Sequence, residues 1–173
     1  EIDENTNIDD LIRKIEQKEF ENRTRLSAVR PDAHIDLSLP GAYTKLIEHI
    51  ETHRWFMGEN FHREIPIEEA TASWYDEVYL PLVQVIRDQA TLKEFPGRTE
   101  ADLYLWIIEH LWYLREELNR DVSLKDAAQH FTDTFASSPL RYISNLFKQI
   151  SGVYSDSAET AITPRSTPPG EEK

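Results

Sequence analysis

Arg98, Glu100, Asp102, Tyr104 and His110 are the densest cluster of chemically capable side chains in the chain. Arg98 directly precedes Thr99, which is placed to cap a helix, so its guanidinium would lie beside amide dipoles that favour anions. A small acidic ligand could be held there by Arg98, with Glu100, Asp102, Tyr104 and His110 lining a cleft. The simpler reading is that Arg98 ties the Pro96-Gly97 turn to Glu94, Glu100 and Asp102. His110 falls among Leu103, Trp106, Ile107 and Leu114 at helical spacing, which suits a neutral imidazole bonded to a buried partner. A general base would need a nucleophile and an orienting acid, and neither can be placed beside it. Asp102, Glu109 and Glu116 recur every seven residues and share a strip. An acid-base pair or a cation could use them, although a solvated strip paired with Arg120 is the more ordinary arrangement.

His49 and His53 stand four residues apart, so both imidazoles can leave one side of a helix, with Glu48 and Glu51 close in sequence. The order His-Ile-Glu-Thr-His is not the metalloprotease His-Glu-x-x-His, because its glutamate turns to another part of the helix. A di-iron site of the ferritin type needs paired Glu-x-x-His motifs, and Glu59-Asn-Phe-His62 supplies one. His49 and His53 are therefore the candidate ligands of a metal site that the spacing does not complete, and no metal is expected. No side chain is assigned a catalytic role and no cofactor is expected, so a non-enzymatic role is favoured.

The 173 residues suit one domain, and a hydrophobic content of 39% is enough for a core. The chain contains no cysteine, which removes disulfides, zinc-thiolate sites and thiol nucleophiles and fits a reducing compartment such as the cytoplasm. No apolar run reaches the roughly 20 residues needed to cross a bilayer, so no membrane partner is expected. A formal charge of −13, from 32 acidic and 19 basic residues, repels phosphate backbones, and direct nucleic-acid binding is disfavoured. The chain opens on Glu1, as expected of a fragment or processed product of something longer.

The elements that must position these residues read as helices. Ile8, Leu11, Ile12 and Ile15 predict a first helix to about Arg23 with a narrow apolar face. Ile35, Leu37 and Leu39 alternate with polar residues in a short extended segment. Pro40-Gly41 opens a helix to about Met57, carrying Tyr43, Leu46, Ile47, Ile50 and Met57 on one face, and Gly58 is placed to stop it. Ile67 to Gln89 reads as helix, with a break expected at Tyr79 to Pro81. Thr99 and Asp102 form a capping box opening a central helix to Arg120, and Ser123 with Asp126 opens a further helix to Phe135. Ser138-Pro139 opens the last, with Leu140, Ile143, Leu146, Phe147 and Ile150 as its apolar set. The expected fold is all-α, a single bundle of five to seven helices with a short extended segment and a disordered C-terminal tail. Residues 1–30 form an N-terminal helix or linker, 31–152 the helical domain and 153–173 the tail.

Trp74-Tyr75-Asp76-Glu77-Val78-Tyr79-Leu80-Pro81, then Phe95-Pro-Gly-Arg-Thr-Glu-Ala-Asp-Leu-Tyr-Leu-Trp106 and Glu109-His110, resemble a bacterial helical domain of unknown function. That domain follows a lipopolysaccharide-kinase-like domain in some proteins and a ParB-like domain in others. Leu39-Pro-Gly-Ala-Tyr-Thr-Lys-Leu-Ile-Glu-His-Ile50 resembles the ParB-linked version, and the likeness runs from about Leu39 to Phe135. It implies an upstream kinase-like or ParB-like domain and no mechanism of its own. The expected role is an accessory or regulatory module working through a protein partner or self-association. Two alternatives remain, a ligand-sensing or enzymatic domain with an anion site near Arg98, and a DNA-associated regulator acting through a missing ParB-like domain.

Overall fold

In the computed structural model the described residues are 8–116 and 121–136, and they are all-α. The predicted helix at Ser138-Pro139, the end of the central helix at Arg120 and the tail lie outside them. The described residues fall within a compact unit spanning Glu1–Ala136. Among them there is no strand.

Helix α1 (Ile8–Thr24) carries Asp9 and Asp10 in its first turn and Arg23 in its last, the charge order that suits the helix dipole. Arg25 takes a left-handed conformation at φ 58°, which turns the chain into the short α2 (Leu26–Val29). Ile35 and Leu37 are buried on one side of the extended segment that follows, matching the predicted alternation, and Tyr43 donates to the Ile35 carbonyl at 3.2 Å. The segment joins no sheet, so side chains from the helices hold it in place.

Helix α3 (Ala42–Phe61) buries Ala42, Tyr43, Leu46, Ile47 and Ile50, the expected face except for Met57, which is only partly buried and lines a surface groove. It does not stop at Gly58. The helix runs one turn further and ends at His62, left-handed at φ 52°, while the Arg63 amide returns to the Gly58 carbonyl at 3.3 Å. Gly58 serves the close approach instead, because a Cβ there would lie 3.3 Å from the Arg63 carbonyl oxygen.

Helix α4 (Ile67–Trp74) continues without the expected break into α5 (Leu80–Asp88) through a π-helical turn over Tyr75–Tyr79. Pro81 explains the wide turn. Proline has no amide hydrogen and its ring crowds the carbonyl four residues back, and a π-turn relieves both by lengthening the hydrogen-bond register, as in the Leu80 amide bonding Tyr75. A 3₁₀ turn (Thr91–Glu94) leads to Pro96-Gly97, where Gly97 at φ 78° and the Arg98 amide bonding the Phe95 carbonyl complete the predicted turn.

Helix α6 (Glu100–Glu116) is the central element, buried without interruption from Ala101 to Ile107 because α3, α5 and α7 pack around it. Helix α7 (Leu124–Phe135) begins at the predicted cap, Ser123 Oγ accepting from the Asp126 amide at 3.1 Å. Phe95, Trp106, Phe131 and Phe135 stack into one aromatic cluster at the α6–α7 contact, with ring centroids 4.9–6.4 Å apart.

Candidate functional site

The capping box at the start of α6 forms as predicted. Thr99 Oγ1 accepts from the Asp102 amide at 3.1 Å, and Asp102 Oδ2 accepts from the Thr99 amide at 2.9 Å. Asp102, however, is only 1% exposed and does not lie on a solvated strip. Its carboxylate reaches the extended segment, where Oδ1 accepts from the Ser38 amide at 3.0 Å and Oδ2 from the Ser38 hydroxyl at 2.6 Å. Arg98 Nη1 donates to the same hydroxyl at 3.0 Å, and its guanidinium lies 5.4 Å from the centre of the Trp106 ring. The expected direct ties from Arg98 to Glu94, Glu100 and Asp102 are replaced by this relay. A single hydroxyl, one proton donor with free lone pairs, accepts from the cation and donates to the anion.

Glu100 turns away. Both its oxygens accept from Arg87 of α5, at 2.7 and 2.6 Å, a bidentate pair at the surface. Tyr104 is buried and points to the opposite side of α6, where its hydroxyl accepts from Trp74 Nε1 at 3.1 Å and lies 3.4 Å from His49 Nδ1. The hydroxyl keeps both its proton and a second lone pair, so a neutral His49 can meet it through Nδ1 as acceptor or as donor, according to the tautomer. Burial, with Lys45 nearby, pushes His49 down to about 4, in keeping with that neutral role. Burial also holds the Tyr104 phenol well above its ordinary value, the Trp74 hydrogen bond acting the other way.

His53 does not share a centre with His49, since its Nε2 lies 2.9 Å from Ser73 Oγ on α4. Among the described residues no group of three or more His, Asp or Glu side chains could hold a metal ion. His110, 4% exposed, meets a partner the sequence did not point to. Its Nε2 lies 2.9 Å from His130 Nδ1 on α7, and its ring packs edge-on against Phe131 and Phe135. Burial and the second imidazole push His110 down to about 4.

Glu109 is the clearest case that the heptad spacing misread. Placed as a solvated carboxylate, it is instead largely buried against α3, with Oε2 lacking a protein partner. Burial pushes it up to about 7, with Lys45 pulling down and Glu48 pushing up. The five candidates thus occupy separate places. Arg98 and Asp102 meet through Ser38, Glu100 joins Arg87, Tyr104 joins Trp74 and His49, and His110 joins His130. Among the described residues the five do not all converge on one another, and the contacts of each join one element of the fold to another. Ser38, Trp74 and His130 carry no sequence signal of these roles, because each acts across a long loop.

The surface is where the molecule leaves chemistry unspent. Ile8, Leu11, Ile12 and Ile15 are exposed at 71%, 47%, 39% and 61%, and Trp55, Phe56 and Phe61 at 59%, 53% and 60%. The first set lies on α1 and the second on the last two turns of α3. A groove of about 380 Å³ between α3 and α4 has Phe56, Met57 and Phe61 among its apolar walls, with His53, Glu69 and Glu77 among its polar ones.

The class defined by this arrangement is an all-helical domain. Residues 70–136 match the family described as a domain of unknown function, DUF4032. The match begins within α4, so the Leu39–Ile50 stretch lies outside it. No curated protein and no solved structure matches the chain. No helix among the described residues is long and apolar enough to cross a membrane.

Proposed function

We propose that this chain is a non-enzymatic protein-interaction module of a larger bacterial protein, and that α1 is its docking element. The observation that supports this is the solvent-facing strip of Ile8, Leu11, Ile12 and Ile15. Single exposed aliphatic residues are ordinary, but four at spacings of three and four on one helix make a contiguous patch. The strip is not a frayed end of the core-facing side. Glu16, whose carboxylate accepts from the Gly41 amide at 2.9 Å, and the buried Phe20 and Thr24 mark the face that packs on the body. At about 100° per residue, the apolar strip is centred roughly a third of a turn away from that face. An amphipathic helix displaying anchors at i, i+3, i+4 and i+7 is the form in which helices enter apolar grooves.

The absence of cysteine makes a direct test available. Ile12→Cys in the native full-length protein should react with a maleimide several-fold more slowly than in the isolated chain at high dilution. Equal rates in both would reject the reading. The isolated chain should also show no salt-sensitive binding to duplex DNA at micromolar concentration, since its −13 charge opposes counterion release.

A further inference from the structure

Two of the exposed apolar features of the described residues have complementary shapes. The α1 strip is a convex aliphatic ridge about two turns long, near 10 Å. Phe56, Met57 and Phe61 form part of a concave wall between α3 and α4. Their charges are complementary as well. Lys14 and Lys18 flank the ridge on one side and form no ion pair, while Glu77 and Glu69 border the groove. Glu69 is held by Arg63, which leaves Glu77 as the exposed carboxylate without an ion pair.

Their positions exclude contact within one molecule. Glu16 meets Gly41, the Phe20 ring meets Tyr43 and Arg23 lies 3.9 Å from Glu51, so α1 and α3 run in the same direction. The strip therefore overhangs the beginning of α3, whereas the groove lies near its end, more than about 20 Å along the helix. A ridge at one end of a body and a matching groove at the other can meet only between molecules.

Resting on the docking reading above, we infer that the α1 strip of one copy occupies the α3–α4 groove of a second copy. Two copies side by side in opposite directions satisfy both contacts at once under a two-fold axis, ridge into groove at each end. Closure matters, because one seam of four side chains falls short of the roughly 1,200 Å² that stable interfaces bury, and the reciprocal seam doubles the area. It also consumes the strip and the groove of both copies, which would otherwise build an open filament. The occupant is aliphatic and lysine-flanked, as a groove with aromatic and acidic walls requires.

Sedimentation equilibrium of the intact chain should show a dimer forming at tens of micromolar, the range of a small interface. Ile12→Glu should raise the dimer dissociation constant at least about tenfold, the effect of placing a charge in an apolar seam, without changing the helical circular dichroism. Lys14→Glu combined with Lys18→Glu should weaken dimerisation, as should Glu77→Lys, and an equimolar mixture of the two variants should recover most of the loss, because the mixed dimer sets opposite charges against each other at both seams. In a crosslinking arm, copies bearing Ile12→Cys should couple to copies bearing Met57→Cys through a short bismaleimide, and Ile12→Cys copies alone should not. A chain that stays monomeric at about 200 µM overturns the inference, as does crosslinking confined to Ile12→Cys pairs. Either result leaves the docking reading standing if Ile12→Cys remains protected in the full-length protein, and free labelling there would remove both.

Discussion

The start of α6 and the start of α1 both begin with acidic residues and carry apolar residues at helical spacing, yet one is the most enclosed part of the molecule and the other the most exposed. At α6, the side chain of Asp102 binds the extended segment through Ser38, and the neighbouring helices bury every residue from Ala101 to Ile107. At α1, only the face bearing Glu16, Phe20 and Thr24 finds a partner. What separates them is the burial of the long-range polar tie, enclosed at Asp102 and exposed where Glu16 meets Gly41. A buried carboxylate satisfied by three donors fixes the approach of a distant segment, and apolar side chains then close around it. Where the tie is exposed and lies on another face of the helix, an equally apolar strip stays in solvent.

The comparison can be broken at its stronger end. Asp102→Ala removes the acceptor for the Ser38 amide, the Ser38 hydroxyl and the Thr99 amide, and should cost about 3 to 4 kcal/mol in urea unfolding. Arg98→Ala, which loses one hydrogen bond and the contact over Trp106, should cost less, about 1 to 2 kcal/mol. Equal losses at the two positions would mean that the relay through Ser38 is not what orders this end of the helix.

A second experiment uses pH. His110 is held down to about 4 in the folded protein and returns to about 6.5 when unfolded. The fold favours the neutral ring, so its contribution is present above pH 6.5 and is lost as the pH falls towards 4. The His110 contribution should therefore drop over that window by about 1 to 3 kcal/mol, against the opposite trend of Glu109, which burial holds up to about 7, and His110→Phe should make the acid limb of a melting-temperature profile shallower. His49, held down in the same range, keeps the variant's limb from becoming flat. An unchanged profile would show that the imidazole pair does not carry the α6–α7 contact.

The smallest effect belongs to the exposed end. Ile12→Glu should alter the stability of the dilute monomer by less than about 0.5 kcal/mol, since the side chain leaves water for nothing within its own molecule. A loss comparable to that of Arg98→Ala would show that the strip is packed in solution and would erase the contrast.

Much that is settled within three or four residues was legible beforehand, though not the short α2 or the 3₁₀ turn at Thr91–Glu94. The Thr99–Asp102 box, the Ser123 cap, the Pro96-Gly97 turn and the buried face of α3 follow from local hydrogen bonds and the helical period, which need no knowledge of the rest of the chain. The helical class follows from the same signals. Choices between distant partners were not legible. Asp102 and Glu109 share one heptad strip with Glu116, and only the packing of α3 and the extended segment buries them; Glu100 and Arg98 stand two apart, and only the positions of Arg87 and Ser38 send them to different partners. Gly58 and the Pro81 turn likewise depend on where the returning chain and the hydrogen-bond register fall. Periodicity assigns a residue to a face of its helix, but tertiary structure decides whether that face meets water, because burial depends on what arrives from far along the chain.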